Sequence, residues 1–215
     1  MSAAKRACDV LGAAVGLVVL SPLLVAIALA IALVDGRPVL FRHERVGRRG
    51  RLFRMWKFRT MVVGAERKGP HITPGGDPRV TRLGRWLRRR KLDELPQLVN
   101  VLRGEMSLVG PRPEVPRYVA RYTAAEREVL RLVPGITDPA SIRYADEGAL
   151  LARAADPERL YVEEVMPEKI RLNLEYARRA TPLTDIATVA ATLLHLGGTR
   201  ARPAPTSLAG SAGQR

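Results

Sequence analysis

Between Val10 and Val34 the chain carries 25 residues without a charge, and no other stretch restricts its fold as strongly. About 20 apolar residues suffice to cross a bilayer. Lys5, Arg6 and Asp9 precede the run, and Asp35, Arg37 and a basic segment follow it. The apolar part is too long for a cleaved signal peptide, and no small-residue cleavage site precedes the charges. Ser21-Pro22 stands in the middle of the run. Proline removes an interior hydrogen bond and bends a helix. Each half alone, about a dozen residues at roughly 1.5 Å each, is too short to cross. Basic residues on both flanks favour the cytoplasmic side for both ends. The sequence therefore predicts a re-entrant helix–break–helix over residues 1–36, broken at Ser21 and Pro22. The competing reading is one spanning helix with a tolerated proline kink.

Charge is distributed as unevenly as hydropathy. Residues 37–91 hold 18 of the 36 lysines and arginines but 3 of the 21 acidic residues, so this segment alone accounts for the net +15. Such a segment seeks phosphate, in nucleotides, nucleic acid or lipid headgroups. The single cysteine, Cys8, excludes an intrachain disulfide and fits a reducing compartment. His43, His71 and His195 lack metal-site spacing, which argues against zinc. A hard cation held by carboxylates stays open.

Within the basic segment, Pro38–Val46 and Arg51–Met61 read as a β-hairpin turned by Gly47-Arg-Arg-Gly50. Alternation puts Met55, Lys57 and Arg59 on one face of the second strand, with Trp56, Phe58 and Thr60 on the other. Gly69 to Pro78 reads as a loop. Val80 to Lys91 reads as a short amphipathic helix, with Leu83, Trp86 and Leu87 on one face, either interfacial or packed on the core.

Four cations, Arg88 to Lys91, then lead into Asp93 and Glu94. Pro96 suits a first helical turn, where its missing N–H has no partner anyway. A helix is predicted from near Asp93 to Arg103-Gly104, with Asp93 at or beside the N-cap. Free N–H groups and the positive end of the helix would keep that carboxylate ionised and admit a phosphate beside it. Capping alone explains Asp-Glu at a helix start, but four cations beside two carboxylates also suit a polyphosphate with a divalent metal. Further on, Pro111-Arg112-Pro113 holds one guanidinium, the group for bidentate phosphate contact; the plainer reading is a rigid turn with an exposed arginine.

The remainder reads as helical. Thr123-Ala-Ala-Glu126 is a capping box opening a helix to Val133, stopped by Pro134-Gly135. Asp156 to Arg179 is helical with a break at Pro167. Thr181-Pro182 starts a last amphipathic helix, closed by Gly197-Gly198. Its apolar face, Leu183, Ile186, Leu193 and Leu194, either packs on the domain or lies on a membrane. The predicted fold is mostly α with a small β-hairpin. It comprises a re-entrant membrane hairpin at 1–36, a cytoplasmic catalytic domain with interfacial helices at 37–198, and a disordered tail at 199–215.

Five stretches, in this order and spacing, resemble the bacterial sugar transferase family, the monotopic polyprenyl-phosphate phosphoglycosyl transferases. They are Phe41-Arg-His-Glu-Arg-Val-Gly47, Trp56-Lys-Phe-Arg-Thr-Met61, Asp77-Pro-Arg-Val-Thr-Arg-Leu-Gly-Arg85, Leu92-Asp-Glu-Leu-Pro-Gln-Leu98 and Met106-Ser-Leu-Val-Gly-Pro-Arg-Pro113. The resemblance is close over residues 1 to 140, looser beyond, and fits the small, stand-alone form. It implies a re-entrant helix plus a helical domain on the cytoplasmic face of the bacterial inner membrane. The implied reaction moves a sugar-1-phosphate from a UDP-sugar to undecaprenyl phosphate and releases UMP. It runs through a covalent aspartyl-phosphosugar, and it initiates surface polysaccharide or glycoconjugate synthesis.

The resemblance also implies roles. Asp93 is the nucleophile, and Asp93 and Glu94 hold Mg²⁺. Lys57, Arg59, Arg88, Pro111, Arg112 and Pro113 bind substrate. The implied partners are the sugar nucleotide, the lipid acceptor and the bilayer, not nucleic acid; a homodimer is left open. Two features depart from the family pattern. Asp138-Pro-Ala-Ser-Ile-Arg-Tyr144 replaces a Gly-x-x-Gln-Val type continuation after Pro134-Gly-Ile-Thr137, and His43 stands where glutamine is common. The first puts sugar specificity in doubt and leaves the Asp93-Glu94 site untouched. The alternative is a non-enzymatic, membrane-tethered basic protein binding nucleic acid or anionic lipid. Against it, the basic segment lacks a recognition-helix motif, and two carboxylates at its end would repel phosphate without a metal.

Overall fold

A computed structural model describes residues 1–65 and 76–197 of the chain, apart from the side chains of 196 and 197. Most of the predicted Gly69–Pro78 loop, Gly198 and the tail at 199–215 lie outside the described residues.

The apolar run forms one helix, α1 (Ala3–Val34, 32 residues), continuous through Pro22. The expected division into two helices at Ser21 and Pro22 is therefore absent. Its local cause is visible. Pro22 has no N–H for the carbonyl of Val18, and the Ser21 hydroxyl donates to that carbonyl instead, at 2.8 Å. A neighbouring side chain thus replaces the bond that proline removes. One face of α1 is buried at Ala13, Ile27 and Ile31, while Leu11, Val18, Val19, Leu29 and Leu33 are exposed.

Strands β1 (Leu40–Val46) and β2 (Leu52–Phe58) form the predicted hairpin, antiparallel, with Leu40 opposite Phe58 and Val46 opposite Leu52. Arg49 and Gly50 take positive φ, 58° and 76°, at the turn. Both faces of β2 are covered. Met55 packs with Ala13, Leu98 and Met106, and Phe58 packs with Ile27, Ile31 and Leu87. The hairpin is thereby clamped along α1.

Helix α2 (Arg82–Arg89) is capped by Thr81, whose hydroxyl accepts from Gly84 N–H. Gly84 is required there, because a Cβ would stand 2.1 Å from the Thr60 carbonyl oxygen. A 3₁₀ turn (Leu92–Glu94) follows, then α3 (Gln97–Leu102). Strands β3 (Ser107–Val109) and β4 (Gly135–Thr137) make a short parallel ladder that the sequence did not announce. Between them lie α4 (Pro116–Val119) and a 3₁₀ helix (Glu126–Arg131). The capping box forms, with Thr123 N–H on Glu126 at 2.7 Å, but the helix it opens is 3₁₀.

The chain continues with α5 (Pro139–Arg143), α6 (Glu147–Ala152), α7 (Pro157–Leu160), a π turn (Tyr161–Val165), α8 (Met166–Arg179) and α9 (Pro182–Gly197). The irregularity expected at Pro167 is the π turn just before it. Pro167 itself sits in the first turn of α8, where a proline costs no hydrogen bond. In α9 the polar face meets the domain. Thr192 bonds Thr137 at 2.6 Å, and Asp185 accepts from Lys5 and from Tyr176, each at 2.6 Å. Leu183, Ile186, Leu193 and Leu194 point outward, each 64–78% exposed.

Candidate active site

The site begins where α2 stops. Lys91 takes a left-handed conformation, φ 55°, and redirects the chain. Glu94 N–H then bonds the Lys91 carbonyl and Leu95 N–H bonds that of Leu92. Asp93 therefore sits in the middle of a 3₁₀ turn, and α3 begins at Gln97 with Pro96 as its N-cap. The expectation that Asp93 caps a helix is corrected by this turn. Burial and neighbouring side chains, not a helix end, set its electrostatics.

Glu94 is held firmly. One oxygen accepts from Lys57 Nζ at 3.0 Å and from Arg112, and the other accepts from Arg112 at 2.9 Å. Burial alone would raise its pKa, but Arg112 and Lys57 outweigh that and hold it well below the ordinary carboxylate range. Burial lowers Lys57 to about 8, with Glu94 opposing and Arg112 adding. Asp93 is 5% exposed, and its Oδ1 has no hydrogen-bond partner. Burial pushes its pKa up, Lys57 opposes, and the charge of Glu94 adds to the rise.

The surrounding elements fix this arrangement. Lys57 comes from β2. Arg88, from α2, donates to Thr60 Oγ1 at 2.8 Å, and burial lowers its pKa while Asp93 opposes. Arg112 comes from the Pro111–Pro113 segment that leaves β3. That segment is seated by Gly110 N–H on the Thr137 carbonyl and by Gly135 N–H on the Pro111 carbonyl, both at 3.0 Å. The backbones cross so closely that a Cβ on Gly110 would stand 2.3 Å from the Val133 carbonyl oxygen.

Asp93, Glu94, Lys57, Arg88 and Arg112, with Pro111 and Pro113, thus come from separate elements to one place. Arg59 does not join them. Its guanidinium is buried and donates to the carbonyls of Asp35, Gly36 and Arg37, which pins the end of α1 to the hairpin. Two further neighbours are uncharged and have no site role in the sequence reading. Thr60 orients Arg88. Gln97 is wholly buried with both amide atoms unpartnered. Both lie inside the quoted motifs, which was the available signal.

The residues suit a hard divalent cation. Asp93 Oδ1 is an orphaned buried acceptor, and Glu94 uses three of its roughly four lone-pair sites. One or two carboxylates plus substrate phosphate are a usual setting for Mg²⁺.

A profile of the bacterial sugar transferase family matches residues 1–198. The chain is 41% identical over 196 residues to an undecaprenyl-phosphate glucose phosphotransferase of Komagataeibacter xylinus, covering 88% of this chain and 35% of that relative. It is 39% identical over 164 residues to a UDP-N-acetylgalactosamine-undecaprenyl-phosphate N-acetylgalactosaminephosphotransferase of Aeromonas hydrophila, covering 74% and 37%. It is 38% identical over 202 residues to a UDP-glucose:undecaprenyl-phosphate glucose-1-phosphate transferase of Caulobacter vibrioides, covering 88% and 68%. The chain spans about a third of the length of the first two relatives and about two thirds of the third. With Lys57, Arg88 and Arg112 gathered around Asp93 and Glu94, the match over residues 1–198 means that this chain belongs to the bacterial sugar transferase family.

Proposed function

We propose that the chain transfers a sugar-1-phosphate from a UDP-sugar to undecaprenyl phosphate, the acceptor in the names of its relatives. One observation carries the reading. Asp93 keeps a bare carboxylate oxygen amid Lys57, Arg88 and the Glu94–Arg112 pair. Asp93 attacks the phosphorus that bears the sugar. The bond from that phosphorus to the bridging oxygen breaks, and its electron pair leaves with UMP. A phosphate oxygen of undecaprenyl phosphate then attacks the same phosphorus, and Asp93 departs as a carboxylate. Lys57, Arg88 and Arg112 offset the charge that accumulates during both displacements. Asp93 and Glu94 would hold a Mg²⁺ ion, which would supply further neutralisation of the diphosphate.

The acceptor phosphate lies at the membrane surface, so the site must lie there too. Both ends of α1 are tied to the domain that carries the site. Arg6 donates to the carbonyls of Val101 and Leu102 at 2.6 and 3.0 Å, and Asp9 accepts from Leu108 N–H at 3.0 Å. At the other end Arg59 holds residues 35–37, and Thr81 donates to Asp35 at 2.8 Å. A helix crossing about 30 Å of hydrocarbon would put its ends on opposite faces. Anchorage of both ends supports a helix that enters one leaflet and keeps both ends on the cytoplasmic face.

The test is UMP release by the membrane-bound protein from a panel of UDP-sugars, with undecaprenyl phosphate and Mg²⁺. Release that needs lipid, metal and Asp93 is expected. Full release by Asp93→Asn would remove the covalent mechanism.

A further inference from the structure

Pro111, Arg112 and Pro113 also line a cavity of about 260 Å³ that runs into the carboxy-terminal helices. Sites for whole drug-sized ligands begin near roughly 300 Å³, so this cavity suits one ring-sized group rather than an entire sugar nucleotide. Its walls combine polar side chains with the apolar side chains of Leu151, Met166 and Ile170 and the tyrosines of the same cluster.

Three of its polar side chains have no hydrogen-bond partner among the described residues. Asn173 is 6% exposed and lines the cavity, and among the described residues its side chain has no hydrogen bond. The same holds for the Tyr122 hydroxyl, and the Tyr118 hydroxyl is buried and unpartnered. Buried polar groups are hydrogen-bonded in the great majority of cases. Only the Tyr118 hydroxyl is enclosed without a partner; the Asn173 and Tyr122 polar atoms are accessible from the cavity and are free to meet a ligand that enters it. By contrast Glu114, on the same wall, is saturated by Arg45, Tyr161 and Val115 N–H. Glu147 and Lys169, paired at 2.6 Å, also line the space.

We propose that this cavity receives the sugar ring of the donor, and that Asn173, Tyr122 and the Glu147–Lys169 pair read its substituents. The inference rests on the transferase reading above. Arg112 belongs both to the cavity wall and to the Glu94 pair, so a donor whose phosphate meets Asp93 reaches the cavity with the group attached to that phosphate. A polyhydroxyl ring presents donors and acceptors around its whole edge, which suits an amide, a phenol and an ion pair set apart on the wall. A planar base asks instead for a free aromatic face, and Tyr118 and Tyr161 are tilted against each other at 57° with centroids 5.2 Å apart. The far wall comes from α6 and α8, downstream of Asp138–Tyr144, where the sequence leaves the family pattern. The phosphate-handling residues all lie upstream of it.

The test uses the full chain in membranes with UDP-glucose, UDP-galactose and UDP-N-acetylgalactosamine, and UMP as a competitive inhibitor. Asn173→Ala and Tyr122→Phe are each expected to raise the KM of the preferred donor about tenfold and to change the order of preference. The inhibition constant of UMP should move less than about twofold. Tyr122→Phe removes one hydroxyl and keeps the ring, so its thermal midpoint serves as the folding control. A UMP constant that rises with KM would give the cavity to the base and overturn the proposal. Unchanged KM and preference in both variants would also overturn it. Absence of UMP release by the unmodified chain from every UDP-sugar would remove the transferase reading, and the sugar assignment with it.

Discussion

Asp93 and Glu94 are adjacent in the chain and opposite in condition. Three hydrogen bonds from Lys57 and Arg112 hold Glu94 and leave it about one lone-pair site, while Asp93 keeps a buried oxygen with no partner. Glu94 therefore works as a strut between two cations. Asp93 keeps the free oxygen that the proposed attack on phosphorus needs.

The two residues should separate cleanly under substitution. Asp93→Asn replaces a buried, partly unpartnered carboxylate by a neutral amide, so the thermal midpoint should hold or rise. UMP release should fall by more than about 10³-fold, as for loss of a covalent nucleophile. Glu94→Gln leaves two buried cations without their anion and should cost about 3–5 kcal/mol of stability. Thermal unfolding and UMP release on both variants decide the matter. A larger stability loss in Asp93→Asn would contradict the assignment.

Arg112 holds Glu94 through two nitrogens, a geometry lysine cannot reproduce. Arg112→Lys should lower kcat/KM for the donor by about tenfold or more. Combining Arg112→Gln with Glu94→Gln should recover part of the stability that each single change loses, with a coupling of about 1–3 kcal/mol. Strict additivity in that cycle would mean that the pair carries no interaction.

Lys57 sets a pH limit. Burial lowers it to about 8 from 10.5, so the folded chain releases this proton before the unfolded chain does. Between those values the unfolded state binds more protons, and this group makes stability rise with pH through that window. Activity moves the other way. Neutral Lys57 no longer offsets phosphate charge, so donor KM should climb above about pH 8. Lys57→Arg stays charged and should flatten that limb; the same climb in Lys57→Arg would rule Lys57 out as its source.

The site was legible where its residues lie in contiguous motifs. Asp93, Glu94 and Arg112 announce themselves by charge near proline, and Arg88 by opening a run of four cations. The local geometry was less legible, because nothing in a lysine side chain signals that Lys91 turns left-handed and places Asp93 in a 3₁₀ turn. Arg59 looked like one more phosphate-binding cation. Its targets are carbonyls 22 to 24 residues earlier, a relation that strand alternation does not encode. The β3–β4 ladder has three residues per strand, too few for a period to show. The hairpin and α1 were legible because their patterns run for many residues.

Helix α9 inverts the usual arrangement, with threonines and Asp185 toward the protein and leucines outward. A face of this kind, beside an exposed apolar α1, is suited to the membrane interface. Leu183→Glu with Leu193→Glu should leave the folded domain intact, since both side chains are exposed. It should lower the fraction of protein that sediments with vesicles, and a salt wash should deepen the loss. Unchanged sedimentation would leave membrane attachment to α1 alone.

The Ser21–Val18 bond makes a last prediction about topology. It lets α1 remain helical through Pro22, so bending does not require a broken helix, and both ends can stay with the domain. Ala4 and Arg37 are exposed near the two ends of α1. Single cysteines at these positions, in a Cys8→Ser background, should react with an impermeant thiol reagent from the same side of sealed vesicles. Ser21→Ala removes the donor to Val18 and should cost about 1 kcal/mol without changing that sidedness, because Arg6, Asp9 and Arg59 still hold the ends. Labelling of the two cysteines from opposite sides would make α1 a crossing helix. Arg59 and Arg6 could not then grip the same domain, and the attachment of both ends would have to be abandoned.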